Sequence, residues 1–158
     1  MQKNRHAFTL LEVVISVFIL LLILTIGIPS MSGLSADRRL RRSLDAVNGL
    51  VSQAQQRSVH ERRAYLIAWE KDRLVLRPEG LDKGESEDPV AQVPFQKGDK
   101  YQLDLPAALM KETPAEWVFW PTGTCEPATL KYTGPSGSWV ANYPSLTARA
   151  EIASYAAK

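Results

Sequence analysis

The chain has 158 residues, 23% charged and 45% hydrophobic, which allows one modest domain plus a segment or two. A net charge of only +2 argues against a generally nucleic-acid-binding surface, and the single cysteine, Cys125, excludes an intrachain disulfide. The charge is unevenly placed, +4 over Leu34–Arg63 and −3 over Ala64–Lys158, and charge halves of this kind can pair within a fold or between subunits.

The first predicted element follows a short basic leader containing Lys3 and Arg5. From Val13 to Ile28 no residue is charged, and only Ser16, Thr25 and Gly27 interrupt the large apolar side chains. Phe8–Ile28 is 21 residues. As a helix it would be ~31 Å long, close to the ~30 Å of bilayer hydrocarbon. Three readings compete: a cleaved secretory signal, a plain signal anchor, and a membrane helix in which Glu12 has a function. Ser30-Met31-Ser32 would serve the first reading as a cleavage site, but the apolar run exceeds the usual ~7–15 residues of such a signal. Glu12 favours the third. A carboxylate within an apolar helix costs roughly 2.5 kcal/mol or more, and residues kept at that cost are functional by default.

His6-Ala7-Phe8-Thr9-Leu10-Leu11-Glu12-Val13-Val14-Ile15 resembles the N-terminal signal of type IV pilins and type II secretion pseudopilins. The resemblance implies cleavage between Ala7 and Phe8 and methylation of the new amine on Phe8. It makes Glu12 the acidic residue of that signal, and Pro29 matches a proline common in the family. Ala7 stands where glycine is usual. The resemblance implies a prepilin peptidase/methyltransferase, other pilins or pseudopilins, an inner-membrane assembly platform and membrane lipid as partners. It also implies a single-pass inner-membrane protein, N-terminus cytoplasmic and C-terminal domain periplasmic. The positive-inside count opposes that orientation, because Arg38, Arg39, Arg41 and Arg42 follow the apolar segment and outnumber Lys3 and Arg5.

Pro29, flanked by Gly27 and Gly33, predicts a kink or melted turn, with helix resuming near Ser35. Leu40, Leu44, Val47, Val51, Ala54 and Ser58 then recur at four-three spacing, one face of an amphipathic helix that packs on its own domain. The arginine cluster off this stripe has three readings: a solvated face, a contact to anionic headgroups, or a contact to acidic neighbours in a fibre.

From Ala64 the period changes to that of strands. Ala64–Trp69 and Arg73–Arg77 form a hairpin around Glu70-Lys71-Asp72. Glu79–Pro89 is an exposed loop. Tyr101–Leu105, Trp117–Trp120, a pair at Ala128–Tyr132 and Ser138–Tyr143, and Leu146–Ile152 complete seven or eight short strands. One long helix followed by strands is an α+β arrangement. Gln56–Val59 leading into Ala64–Trp69, together with Phe119–Thr124 and Leu146–Ile152, is similar to pseudopilin H and its minor-pilin relatives. That similarity implies an antiparallel two-sheet β domain packed on the helix. The expected organisation is a leader over 1–7, a transmembrane helix over 8–28, an amphipathic helix over 29–63 and a periplasmic β domain over 64–158.

No catalytic motif, metal-ligand spacing or phosphate-cradling glycine loop occurs, so no catalytic residue, metal or cofactor is expected. Trp69, Trp117, Trp120 and Trp139 are expected in core and cross-strand packing, and Cys125 as a small buried or turn residue. The function the resemblance implies is a minor pilin or pseudopilin, a structural fibre subunit, in type II secretion before other systems. A DNA-binding minor pilin of a competence pilus would want a basic tail, and the final 27 residues hold only Arg149 and Lys158. A membrane-anchored domain that never polymerises is the other alternative.

Overall fold

The computed structural model describes residues 9–27, 30–106 and 116–158. The chain divides into two units, Met1–Ser35 and Ala36–Lys158. Helix α1 runs Leu10–Gly27 and helix α2 runs Ser30–Glu61. At 18 residues α1 is about 27 Å long. That is shorter than the expected 21-residue span, and among the described residues no helix is long and apolar enough to cross a membrane. Ala7, Phe8 and Pro29 lie outside the described residues. The expected melted turn up to Gly33 is corrected, since α2 is already helical from Ser30. One interior glycine costs a helix only about 1 kcal/mol, so Gly33 does not break it.

The second unit holds the rest of α2 and two four-stranded antiparallel sheets. One contains β1 (Tyr65–Trp69), β2 (Arg73–Pro78), β3 (Ala91–Pro94) and β5 (Glu116–Phe119), in the order β3-β2-β1-β5. The other contains β4 (Lys100–Asp104), β6 (Ala128–Gly134), β7 (Gly137–Tyr143) and β8 (Glu151–Ala157), in the order β4-β6-β7-β8. The α+β class and the two-sheet domain are therefore as expected. Both hairpins form where turn residues were expected, with Tyr65 opposite Pro78 and Ala128 opposite Tyr143.

Two boundaries differ. The last strand begins at Glu151, not Leu146, and continues to Ala157. Leu146 is 80% exposed, and Ala148 turns through a positive φ with its N–H donating to the Pro144 carbonyl, so the segment bends before it can pair. Strand β3 was not expected, because its four residues follow Pro89 closely and end on Pro94, at a sheet edge.

The six stripe residues of α2 are all buried, and so is Leu50. All of them but Ser58 form one core with Ile67, Leu76, Trp117, Phe119, Leu130 and Trp139 from the two sheets. Burial of this continuous apolar surface is the main stabilising term of the domain. Polar contacts fix the helix along its length: Tyr155 Oη donates to Asp37 Oδ1 at 2.7 Å, and Trp139 Nε1 to Ser43 Oγ at 2.8 Å. Further along, Tyr143 Oη donates to Asn48 Oδ1 at 2.8 Å, and Gln55 Nε2 to the Gly123 carbonyl at 2.7 Å. Gly137 at the β6–β7 turn is required, since its φ is +138° and a Cβ there would meet the Ala156 carbonyl oxygen at 2.1 Å.

Candidate functional site

Helix α1 starts immediately after Thr9. The Thr9 carbonyl accepts the N–H groups of Glu12 at 3.0 Å and Val13 at 3.3 Å, and Thr9 Oγ1 also lies 3.3 Å from the Glu12 nitrogen. Thr9 thus N-caps the helix and satisfies donors that have no intrahelical partner. The signal was present in the sequence as Thr-x-x-Glu before an apolar run, the pattern of a capping box, but the reading of the sequence did not draw it. Glu12 sits in the first turn, exposed, where a carboxylate also complements the helix dipole. Ser16, one turn on, donates its hydroxyl to the Glu12 carbonyl at 2.7 Å and so presents little free polarity.

From Leu10 to Leu24 thirteen large apolar side chains are exposed, from 46% at Leu22 to 85% at Leu10. They fill every position of that stretch except Glu12 and Ser16, so apolar side chains occur all round the helix. A helix that is apolar all round belongs in hydrocarbon or among other helices, because water on every side is unfavourable at ~25 cal/mol per Å². Among the expected site residues, Glu12 alone is described, on the first turn of this apolar rod; where Ala7, Phe8 and Pro29 stand relative to it lies outside the described residues.

On α2 the arginine cluster splits. Arg41 Nε lies 2.9 Å from Asp37 Oδ2, and Arg39 Nη2 lies 4.0 Å from Asp99 Oδ1. The Asp37 carboxyl is held below the usual range by the Tyr155 hydroxyl and by Arg41. Arg38 and Arg42 are exposed and have no acidic partner among the described residues.

At the other end of α2, Arg63 gathers charges. It lies 2.7 Å from Glu61 and 2.6 Å from Glu85, and its guanidinium stands 5.3 Å from the Tyr65 ring centre. Tyr65 Oη donates to Glu61 at 2.5 Å. The tyrosine hydroxyl and the arginines hold Glu61 below the usual range, and Arg63 does the same to Glu85. An open groove of about 770 Å³ lies between these last turns of α2 and Gly123, lined also by Gln55, Val59 and His60.

The other sequence candidates are structural. Trp117 and Trp139 are fully buried, Trp117 against Phe119 and Tyr143 and Trp139 stacked on Tyr132. Trp120 departs from the expectation of core packing, being 40% exposed. Cys125 is buried as expected, and burial pushes its thiol up to about 11, so it stays protonated and unreactive at neutral pH. Among the described residues no group of three or more His, Cys, Asp or Glu side chains is placed to hold a metal ion.

Residues 2–28 match the prokaryotic N-terminal methylation motif. No curated protein sequence matches the chain significantly. Among solved structures, the fold is similar to that of the minor pseudopilin EpsH from the type 2 secretion system of Vibrio cholerae, with a TM-score of 0.52 at 12% identity, over 72% of this chain and 94% of that one. It is also similar to the type IV minor pilin FimU of Pseudomonas aeruginosa. In one crystal form the TM-score is 0.55 at 18% identity, over 75% of this chain and 90% of that one. In a second it is 0.52 at 17% identity, over 73% and 93%. Those proteins are a pseudopilin and a pilin, structural subunits and not enzymes. What this chain shares with those proteins is the fold of its helix and β domain, and its first residues carry the N-terminal methylation motif.

Proposed function

We propose that this protein is a minor subunit of a periplasmic pseudopilus or type IV pilus, made as a membrane-anchored precursor and trimmed before assembly. The observation that carries the reading is α1: an exposed helix, apolar on every face, with one carboxylate in its first turn. In a monomer in water such a helix has no stable place. Counted along the sequence from Phe8 to Ile28, the segment has 21 residues and as a helix would match the hydrocarbon thickness at ~31 Å. Before assembly lipid buries it, and in a fibre the apolar helices of other subunits do.

Removal of residues 1–7 between Ala7 and Phe8 leaves an α-amine on Phe8, which the same enzyme methylates. The Glu12 carboxylate of one subunit then pairs with the Phe8 amine of a neighbour. Each offsets the burial of the other, and their meeting sets the axial register of two helices that otherwise offer only apolar surface. Type II secretion is our first assignment, supported by the EpsH-like fold, and a type IV pilus is the second, supported by the FimU-like fold.

Mass spectrometry of the N-terminus of the protein recovered from membranes tests this reading. The expected species begins at a monomethylated Phe8. A chain beginning at Met1, or one cut beyond Ser32, overturns it.

A further inference from the structure

Strand β8 ends its sheet, and among the described residues nothing pairs with its outer side. The other three edge strands carry features that discourage pairing. Strand β3 has four residues and ends on Pro94, and β5 has four with Pro121 shortly after it. Strand β4 has five, with Lys100 and Asp104 at its ends. Strand β8 has seven residues, no proline and one charge, Glu151, with Lys158 directly after it. Six of the seven are exposed, Ile152 by 55%. A long exposed edge of small and apolar residues is a template for another strand. We propose that β8 pairs antiparallel with β8 of a second copy of this chain.

The register selects a second copy. Along β7, Val140 faces Ser154 but Ala141 faces Ile152, which leaves Ala153 as an extra, bulged residue. Seven positions separate Glu151 from Lys158, so in a regular strand the two would point to opposite faces. The bulge brings them to the same face. The Lys158 N–H donates to the Ser136 carbonyl on the β7 side. By alternation the backbone groups of Tyr155 and Ala157 turn outward, and beyond the bulge so do those of Ile152. A two-fold axis at Tyr155 then sets Tyr155 against its own copy, Ile152 against Ala157 and Glu151 against Lys158. The outward backbone groups find partners, the strands overlap along their whole length, and opposite charges meet at both ends. A shift in either direction shortens the overlap and separates the charges. Of the nearby charges, Asp37 and Arg41, beside Tyr155, already hold each other. Arg149 lies two residues outside the paired stretch, and Lys131 is two strands away.

The axis stands perpendicular to the sheet, and α2 lies along the sheet through its bonds to β7 and β8. The α2 helices of the two copies therefore run in opposite directions. In the proposed fibre all subunits point one way, so a paired subunit is held out of assembly. That consequence rests on the fibre reading, and the pairing itself does not.

Cysteine substitutions in the full-length chain in detergent test the register. The two Tyr155 Cα atoms would lie about 5.5 Å apart, within disulfide reach, and the two Ser154 Cα atoms roughly 8 Å apart, beyond it. Tyr155→Cys should give disulfide-linked dimers in air, about ten-fold more than Ser154→Cys, while the buried Cys125 takes no part. Charge variants read the same register with Tyr155 intact. Glu151→Lys and Lys158→Glu should each weaken the dimer about ten-fold in sedimentation. An equal mixture of the two should restore it, because the altered charges of one copy complement those of the other. Equal cross-linking at the two positions, which contact through α1 would produce, overturns the proposal. So does a chain that stays monomeric, or a mixture no stronger than its components. None of these outcomes bears on the methylation of Phe8, which tests the fibre reading separately.

Discussion

Glu12 places a carboxylate in a helix whose other described side chains, through Leu24, are apolar apart from Ser16. Nothing in the described fold pairs with it, and its own N–H is already held by Thr9. The Glu12→Ala variant should therefore fold and accumulate normally but fail to assemble. The neighbour's amine would be buried unpaired, at a cost of about 3–5 kcal/mol. Comparing fibre yield with the steady-state level of the subunit checks this, and normal fibres from the variant would remove Glu12 from the register. Glu12 stood out in the sequence because a charge within an apolar run is conspicuous against its neighbours. Thr9 stood out less, because a cap is recognised only by its spacing to the residue it serves. The state of Cys125 was legible from the absence of any nearby histidine in the sequence, and its buried, proton-retaining thiol agrees.

The amphipathic helix was read from its period, and the structure buries all six residues of the stripe. Leu50 was missed because a four-three count steps from Val47 to Val51. Both of the adjacent positions lie within the arc that two sheets can cover. Leu50→Ala should cost about 2–5 kcal/mol in urea denaturation, since two packed sheets cannot collapse into the gap. Tyr143→Phe removes only the hydrogen bond to Asn48, whose amide remains partly open to water, and should cost about 1 kcal/mol. Equal losses from the two would mean that the helix is held by its polar contacts and not by its stripe. The strands were legible where turn residues bracket them. They were misread where apolar residues occupy a bend, as at Leu146, or where prolines flank a genuine edge strand, as at β3.

Across the whole chain, the opposed charges of α2 and the β domain meet only in part. Arg63 joins the end of the helix to the acidic loop through Glu85, and Arg39 approaches Asp99. Two of the four arginines that oppose the expected membrane orientation thus lie close to carboxylates in the folded domain, Arg39 to Asp99 and Arg41 to Asp37. Asp37, Glu61 and Glu85 are all held below their ordinary values by hydrogen bonds and arginines. Because their folded values are depressed, the stability they contribute is complete above their ordinary values, 4.5 for the two glutamates and 3.8 for Asp37, and is lost as pH falls below them. Thermal unfolding followed by tryptophan fluorescence should show the midpoint falling as pH drops below those values. Arg63→Gln should flatten part of that fall. A midpoint that is flat down to the lowest pH would show that these pairs contribute nothing measurable.

The four polar contacts along α2 have a mechanical consequence. Asp37, Ser43, Asn48 and Gln55 are spread over 19 residues, about 27 Å of helix, and each is held by a different side chain or by the turn at Gly123. A pull along the helix axis loads all four tethers at once in shear, together with the buried stripe, instead of peeling them one after another. A load applied along α2 would therefore move this helix and its sheets together, and yielding would begin outside this seam.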